Sequence, residues 1–311
     1  MPLPNVCVVG SANLDLNTYT DRFPAPGETI HGKRFTTGYG GKGANQAVMA
    51  ARLGGTVTLV AKIGRDLFGC AMIEQFRSEG IDTRHVIATD GVSTGTAVIT
   101  VDGAGRNTII VTPGANGLLS SADVQAARPA LESARVLVCQ QEVPVEANLT
   151  AMRIAARAGV PVVYNPAPVG DGMLAEAYQL SAVLCPNEHE AALLTGRPVG
   201  TRDEVEEVAR ELMGRGARSA VITLGERGCL VVTAEAATMI SAPAVEAVDT
   251  TGAGDAFIGS LAFFLARGDT LTAAAKHANH IAAISVRFPG TQTSFPRAAD
   301  VSAILHGDSL V

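Results

Sequence analysis

The sequence predicts an α/β fold in which a mostly parallel β-sheet is covered by helices on both faces and carries a small inserted β-sheet lid. Three observations predict it. Short, continuous apolar runs recur along the chain, the first of them, residues 6–9, ending directly in Gly10, the pattern of strands buried on both faces. These runs alternate with helical periods over most of the chain, which specifies strand–helix–strand crossovers. Residues 16–41 break the alternation: they are rich in turn formers, with Phe23-Pro-Ala-Pro-Gly-Glu-Thr29 at their centre, and read as β excursions outside the main sheet.

Residues 6–9 open the sheet. In the following Gly10-Ser-Ala-Asn13-Leu-Asp15, Asn13 and Asp15 are two residues apart and, if extended, project from one side. Their oxygens then suit vicinal hydroxyls of a polyol; an Asx-turn is the alternative. Gly40-Gly-Lys-Gly-Ala-Asn45 leads into an amphipathic helix at 44–53, and glycines at a helix start permit close approach to a ligand. A strand at 57–63, a helix at 66–79 and a hairpin of strands 97–101 and 107–111 around Asp102-Gly103 come next. Strands at 136–139, 162–165, 182–185 and 220–223 alternate with helices at 145–158, 188–194 and 202–215. Strands 229–233 and 238–241 precede closing helices at 254–267 and 270–286. No repeat or linker interrupts this order, so residues 1–311 read as a single domain.

With 311 residues and 47% apolar side chains, the chain supports a sizeable core and is too apolar for disorder. Its net charge of −6 argues against nucleic-acid or anionic-membrane partners, so an anionic ligand needs a local site. Cys7, Cys70, Cys139, Cys185 and Cys229 lie far apart, four of them in apolar runs. Inert buried thiols in a reducing, cytoplasmic setting account for them better than disulfides or zinc. Met1-Pro-Leu-Pro-Asn5 lacks the features of a secretory leader, and no apolar run is long enough to span a membrane.

The chain turns on Asp249-Thr-Thr-Gly-Ala-Gly-Asp255-Ala-Phe257. Gly252 and Gly254 let the backbone point several N–H groups at one spot, and the helix beginning there adds its unpaired first-turn N–H groups and positive dipole end. That makes a seat for a phosphoryl group. A carboxylate beside bound phosphate is repelled by it, so Asp255 makes sense mainly as a base taking a proton from an attacking hydroxyl; a helix cap is the alternative.

Other motifs discriminate less. Gly38-Tyr-Gly40-Gly-Lys-Gly43 matches a dinucleotide fingerprint in letters only, because no buried strand precedes it and no acid follows near 20 residues on, which argues against an NAD-linked dehydrogenase. Gly27-Glu-Thr-Ile-His-Gly32-Lys33 lacks the Ser or Thr of a P-loop. Asn187 and Glu190 open a helix after a strand and form either a capping box or a magnesium and phosphate contact. His277 and His280 are one helical turn apart without an evident third ligand, so a solvated or nucleotide-facing helix is the simpler account.

Several stretches together resemble the ribokinase branch of the PfkB-type carbohydrate kinases, from about residue 5 to 300. They are Gly10-Ser-Ala-Asn-Leu-Asp15, residues 23–29, Gly40-Gly-Lys-Gly-Ala-Asn-Gln-Ala47, Asn165-Pro-Ala-Pro168, Pro186-Asn-Glu-His-Glu190, Thr223-Leu-Gly225 and residues 249–257. The resemblance implies a Rossmann-like three-layer sandwich with a β-sheet lid, here residues 16–41 and 97–111, that pairs with another subunit's lid in a homodimer. It implies ATP- and Mg2+-dependent phosphorylation of D-ribose at O5, with deoxyribose, fructose and adenosine as alternatives. By the same resemblance Asp255 is the base, and Gly252, Ala253 and Gly254 form the anion hole. Asn13, Asp15, Gly41, Lys42, Gly43, Asn45 and Glu142 hold the sugar, with Asp255 touching the hydroxyl that reacts. Asn187, Glu190, Thr223, Gly225, Gly228, Gly254 and Asn279 face nucleotide or magnesium. Asp249, Thr251, Ser285, Phe288, Gly290 and Ser294 match a K+ site. Departures from the pattern, Ala12 and Leu14 beside the sugar residues and Gln140-Gln141 before Glu142, bear on the sugar more than on the reaction. With nine Phe, four Tyr and no Trp, an aromatic platform for a nucleoside base is poorly supplied.

Overall fold

The first apolar run forms β1 (Asn5–Val9), whose alternate side chains enter two cores: Val6 and Val8 on one face of the sheet, Cys7 and Val9 on the other. The computed structural model describes residues 3–170 and 173–306; Met1 and Pro2, part of the stretch read above for a leader, lie outside them. After β1 come β2 (Asn13–Tyr19), β3 (Arg34–Gly40), α1 (Lys42–Arg52), β4 (Thr56–Gly64), α2 (Leu67–Ser78) and β5 (Asp82–Thr89). Then follow β6 (Gly95–Val101), β7 (Asn107–Thr112), α3 (Ser121–Ala126), α4 (Arg128–Ser133), β8 (Val136–Gln140), α5 (Val145–Arg157), β9 (Val162–Asn165), α6 (Ala175–Leu180) and β10 (Val183–Leu184). The rest of the chain forms α7 (Glu188–Thr195), α8 (Arg202–Gly214), β11 (Ala220–Thr223), β12 (Cys229–Val232), β13 (Ala237–Ile240), α9 (Ala253–Arg267), α10 (Leu271–Ser285) and α11 (Ser302–His306).

The main sheet has nine strands in the order β13-β12-β11-β10-β9-β8-β1-β4-β5, parallel except at the β11-β12-β13 edge. α1, α2, α9 and α10 cover one face and α3 to α8 the other. Because β1 lies between β4 and β8, the chain leaves it towards one edge and later returns on its other side, which opens a crevice at the carboxyl ends of β1 and β8. A separate four-stranded sheet, β3-β2-β6-β7, stands at that end. Its strands start earlier than residues 16 and 97, since Asn13 already pairs with Gly40 and Gly95.

The departures from expectation have physical reasons. β5 escapes the sequence pattern because it is an edge strand whose Asp82, Arg84 and His85 interrupt any apolar run. The six-residue α3, α4 and α6 are too short to show a period. The strand expected at 182–185 narrows to Val183–Leu184. At the start of α1 the glycines serve a backbone crossing: a Cβ on Gly43 would lie 2.7 Å from the Gly10 backbone, and one on Gly41 2.8 Å from that of Ala12. Room for the chain itself, more than for a ligand, is what these two positions require.

α1 crosses α9 at Gly259, where a Cβ would lie 2.5 Å from the Gln46 carbonyl oxygen and 2.7 Å from the Met49 Cβ. Alanine there gains about 1 kcal/mol of helix propensity. The overlap, however, is with the backbone of the neighbouring helix, and no side-chain rotation relieves it. Gly259→Ala is expected to lower the unfolding free energy by about 1–3 kcal/mol net, seen in urea as a lower midpoint at unchanged slope. A midpoint at or above that of the parent would show that the two helices do not constrain each other here.

Candidate active site

α9 begins at Gly252, whose φ of 78° lets the chain turn sharply into the helix, and no side chain caps that helix start. The Ala253 N–H points to the Thr250 carbonyl at 3.2 Å, so of the three expected anion-hole residues it is Gly252 and Gly254 that face open space. They line a cavity of about 180 Å³ together with Asp255, Lys42, Asn187, Glu190 and Thr223. Asp255 lies in the first turn of α9 and is buried. Its Oδ2 accepts from Asn45 Nδ2 and its Oδ1 from Gln46 Nε2, both at 2.9 Å.

On the other side of Asp255 stand the residues read as sugar ligands. Glu142 accepts from the Lys42 N–H at 2.9 Å and from the Ser11 hydroxyl, which ties the end of β8 to the start of α1. Asp15 lies over Gly40, where any Cβ would meet its carboxylate oxygens at 2.5 Å. Burial, then repulsion by Glu142 and Asp255, pushes the Asp15 carboxyl up to about 7. Glu190 is also raised, by burial first and with Asp255 adding to it, although the Asn187 N–H and Lys42 oppose the shift. Burial would lower Lys42, but Asp255, Glu142 and Glu190 around it outweigh that and hold its ammonium charged. One cation thus sits among carboxylates that otherwise repel one another.

Asn13 takes a different role from the one expected. Its Oδ1 accepts from Asn116 Nδ2 at 2.7 Å, while Asn116 also bonds the Ala12 N–H and carbonyl. With its oxygen committed to Asn116, Asn13 has only its amide N–H groups to offer a ligand, whereas Asp15 offers acceptors. Asn187 and Glu190 form a reciprocal capping box at 2.8 and 2.9 Å and also line the cavity, so the two readings of this motif coexist. Three residues expected at the nucleotide are not brought into the cavity wall: Gly225, Gly228 and Asn279. Gly228 is packed so that a Cβ would lie 2.0 Å from the Ile240 carbonyl oxygen, and Asn279 donates to the Ser241 carbonyl at 2.9 Å.

Asp249 accepts from the Thr251 N–H at 2.9 Å and the Gly290 N–H at 2.8 Å, bonds that outweigh burial and keep its carboxyl low. It joins the loop before α9 to the segment after α10 that carries Phe288, Gly290 and Ser294. The Ser285 carbonyl accepts from the Phe288 N–H and the Ser294 hydroxyl donates to the Thr291 carbonyl, so these positions belong to one compact turn system. Among the described residues no group of three His, Cys, Asp or Glu side chains is arranged to hold a metal. His277 stacks on Phe264 at 4.6 Å and His280 turns to the Lys276 carbonyl, so the pair does not converge.

Ser11, Gln46, Asn116, Gln140, Asn165 and Gln292 are the polar residues of this region that sequence reasoning missed. All but Gln292 and Asn116 lie within or beside stretches quoted above, and amides in such stretches were the available signal. Asn116 stands in an uncharged run with nothing to distinguish it.

A cavity at a helix start, lined by a buried acid that also acts on nearby Asp15, suits transfer of a phosphoryl group to a polyol. The comparisons agree. The model of the pfkB family carbohydrate kinases matches residues 3–298. The chain is 44% identical over 304 residues to a ribokinase of Mus musculus, covering 96% of this chain and 94% of that one. It is 40% identical over 296 residues to a deoxyribokinase of Salmonella typhi, covering 94% and 95%. Its fold superimposes on the Arabidopsis thaliana ribokinase solved with ribose and ATP at a TM-score of 0.91, with 30% identity and coverage of 97% and 99%. On a ribokinase of Thermotoga maritima the TM-score is 0.89, with 34% identity and coverage of 98% and 100%. With a family match over nearly its whole length and a fold shared with these kinases, the chain belongs to the pfkB family of carbohydrate kinases.

Proposed function

We propose that the protein phosphorylates D-ribose at O5 with ATP, giving ribose 5-phosphate. The observation that carries this is the position of Asp255, which both lines the cavity at the start of α9 and repels Asp15 beside it. A primary hydroxyl held there meets a base on one side and a γ-phosphoryl group on the other. Asp255 takes the proton as the hydroxyl attacks; the Gly252 and Gly254 amides and the α9 dipole stabilise charge on the group in transfer. Lys42, cationic and facing the same cavity, adds a point charge. Magnesium supplies further charge neutralisation when bound with ATP. With Asp255 assigned to the hydroxyl, Glu190 is the other buried carboxylate in the cavity wall and is suited to hold magnesium through waters; one such acid fits an ion that takes most of its ligands from phosphate and water.

The four-stranded sheet is the lid in this reading, within a single kinase domain over residues 1–311; closing it excludes water that would otherwise hydrolyse ATP. Its edge strand β7 exposes Ile109, Ile110 and Val111, Val98 is exposed on the adjacent β6 and Phe35 on the opposite edge strand β3, a surface suited to the lid of a second copy in a homodimer. Four buried thiols fit a reducing, cytoplasmic setting, and among the described residues no helix is long and apolar enough to cross a membrane.

The similarity to a deoxyribokinase makes 2-deoxyribose the second reading. Asn13 and Asp15 present donors and acceptors together, so a sugar lacking one hydroxyl leaves a buried group unpaired, at about 1–3 kcal/mol. Ribose should exceed 2-deoxyribose, fructose and adenosine in kcat/KM by roughly tenfold or more in an ADP-release assay. Equal or better turnover of any of the three would overturn ribose as the substrate.

Asp249 and the carbonyls of the Ser285 to Ser294 turn system suit a large, weakly hydrated cation, which would brace the loop carrying Gly252 and Gly254 without touching substrate. Potassium is expected to raise kcat above the level in sodium or a bulky organic cation at one ionic strength. Indistinguishable rates in the three salts would remove the ion from the account.

A further inference from the structure

We infer that Gln46 is a positioning residue for Asp255, the inner member of a buried row of amides that fixes the plane of the carboxylate and the direction in which its oxygens face. The inference rests on the kinase reading above and adds the residues that make its base competent.

Gln46 is fully buried, and every polar atom of its amide is committed. Its Nε2 donates to Asp255 Oδ1 at 2.9 Å and to Asn165 Oδ1 at 3.2 Å, and its Oε1 accepts from Gln140 Nε2 at 2.7 Å. Asn165 is held in turn by its own donation to the Cys185 carbonyl at 2.9 Å. On the other carboxylate oxygen the pattern repeats: Asn45 donates at 2.9 Å, and its Oδ1 accepts from Gln292 Nε2 at 3.0 Å. The two rows end in the same unusual way. Gln140 Oε1 and Gln292 Oε1 are both buried with no partner among the described residues.

Those two orphans follow from the charge at the centre. An ionised carboxylate only accepts, so Gln46 and Asn45 must turn their NH2 groups to it and their oxygens away. Gln140 and Gln292 must then present NH2 groups to those oxygens, which leaves their own oxygens at the row ends. Reversing any amide would set oxygen against oxygen. Leaving a buried acceptor unmade is unfavourable, and here it occurs at both ends of one network. The row is therefore polarised towards Asp255. Gln292 is braced from behind by Arg52, which bonds the Gln292 and Phe295 carbonyls and pairs with Glu79 at 2.6 Å.

The test uses the full-length protein with sugar and ATP. Gln46→Met keeps the volume and removes the donor, and is expected to lower kcat roughly ten- to a hundredfold with KM for ATP unchanged. It should also move the acid limb of the pH profile upward, because the carboxylate loses a hydrogen bond that favours its ionised form. Gln46→Glu sets a second acid against Asp255 and should move the limb further. Gln140→Met, one link away, should move it in the same direction by less. The charged groups around Asp255, namely Lys42 of α1, Asp15 of β2, Glu142 beyond β8 and Glu190 of α7, are the same in every variant. An unmoved limb in folded variants, or a loss confined to KM for ATP, would overturn the inference. If Gln46→Met does not fold, the limb of Gln140→Met decides alone. A parent protein that phosphorylates no sugar would overturn the kinase reading instead; an active parent, an inactive Asp255→Asn and unaffected glutamine variants would overturn only the positioning role.

Discussion

The site depends on one crossing. α1 meets α9 at Gly259, and that contact sets the first residues of α1 against the first residues of α9. Asn45 and Gln46 come from one helix and Asp255 from the other, so the bonds that hold the carboxylate exist only while the two axes keep their spacing. Everything else in the site is placed relative to this pair. Lys42 precedes Asn45 on the same turn, Glu142 is tied to the Lys42 amide, and Gly252 and Gly254 precede Asp255. A shift of the helices would misplace Asp255, Lys42, Gly252 and Gly254 together.

The charges explain why the free site is not electrostatically relaxed. Asp255, Glu142 and Glu190 surround Lys42, and burial, with repulsion from Glu142 and Asp255, raises the Asp15 carboxyl to about 7. In the proposed reading, sugar hydroxyls would donate to Asp15 and Glu142, and a phosphate would pair with Lys42. The arrangement is unfavourable without ligand and compatible with one, as expected of groups placed to recognise a substrate rather than to stabilise the fold.

Much of this was legible in the sequence where local pattern and chemistry coincide. Short apolar runs gave the strands flanking the crevice, and Gly252-Ala-Gly-Asp255 announced a helix start and a buried acid at once. Legibility failed where the cause lies far away in the chain. Gly43 reads as ligand access in sequence, but its neighbour is the Gly10 backbone, a contact between segments that no local pattern pairs. The orientation of Asn13 is set by Asn116, 103 positions away, and that of Gln46 by Asp255, 209 positions away. Edge strand β5 was invisible because solvent on one side removes the need for apolar residues.

The central claim is that Asp255 removes the proton of the attacking hydroxyl. Asp255→Asn preserves shape and loses the acceptor, so measuring kcat beside sugar affinity in that one variant tests it most directly. The account predicts a kcat lower by roughly 10²–10⁴ with sugar affinity changed far less. A kcat close to that of the parent protein would show that Asp255 only shapes the start of α9.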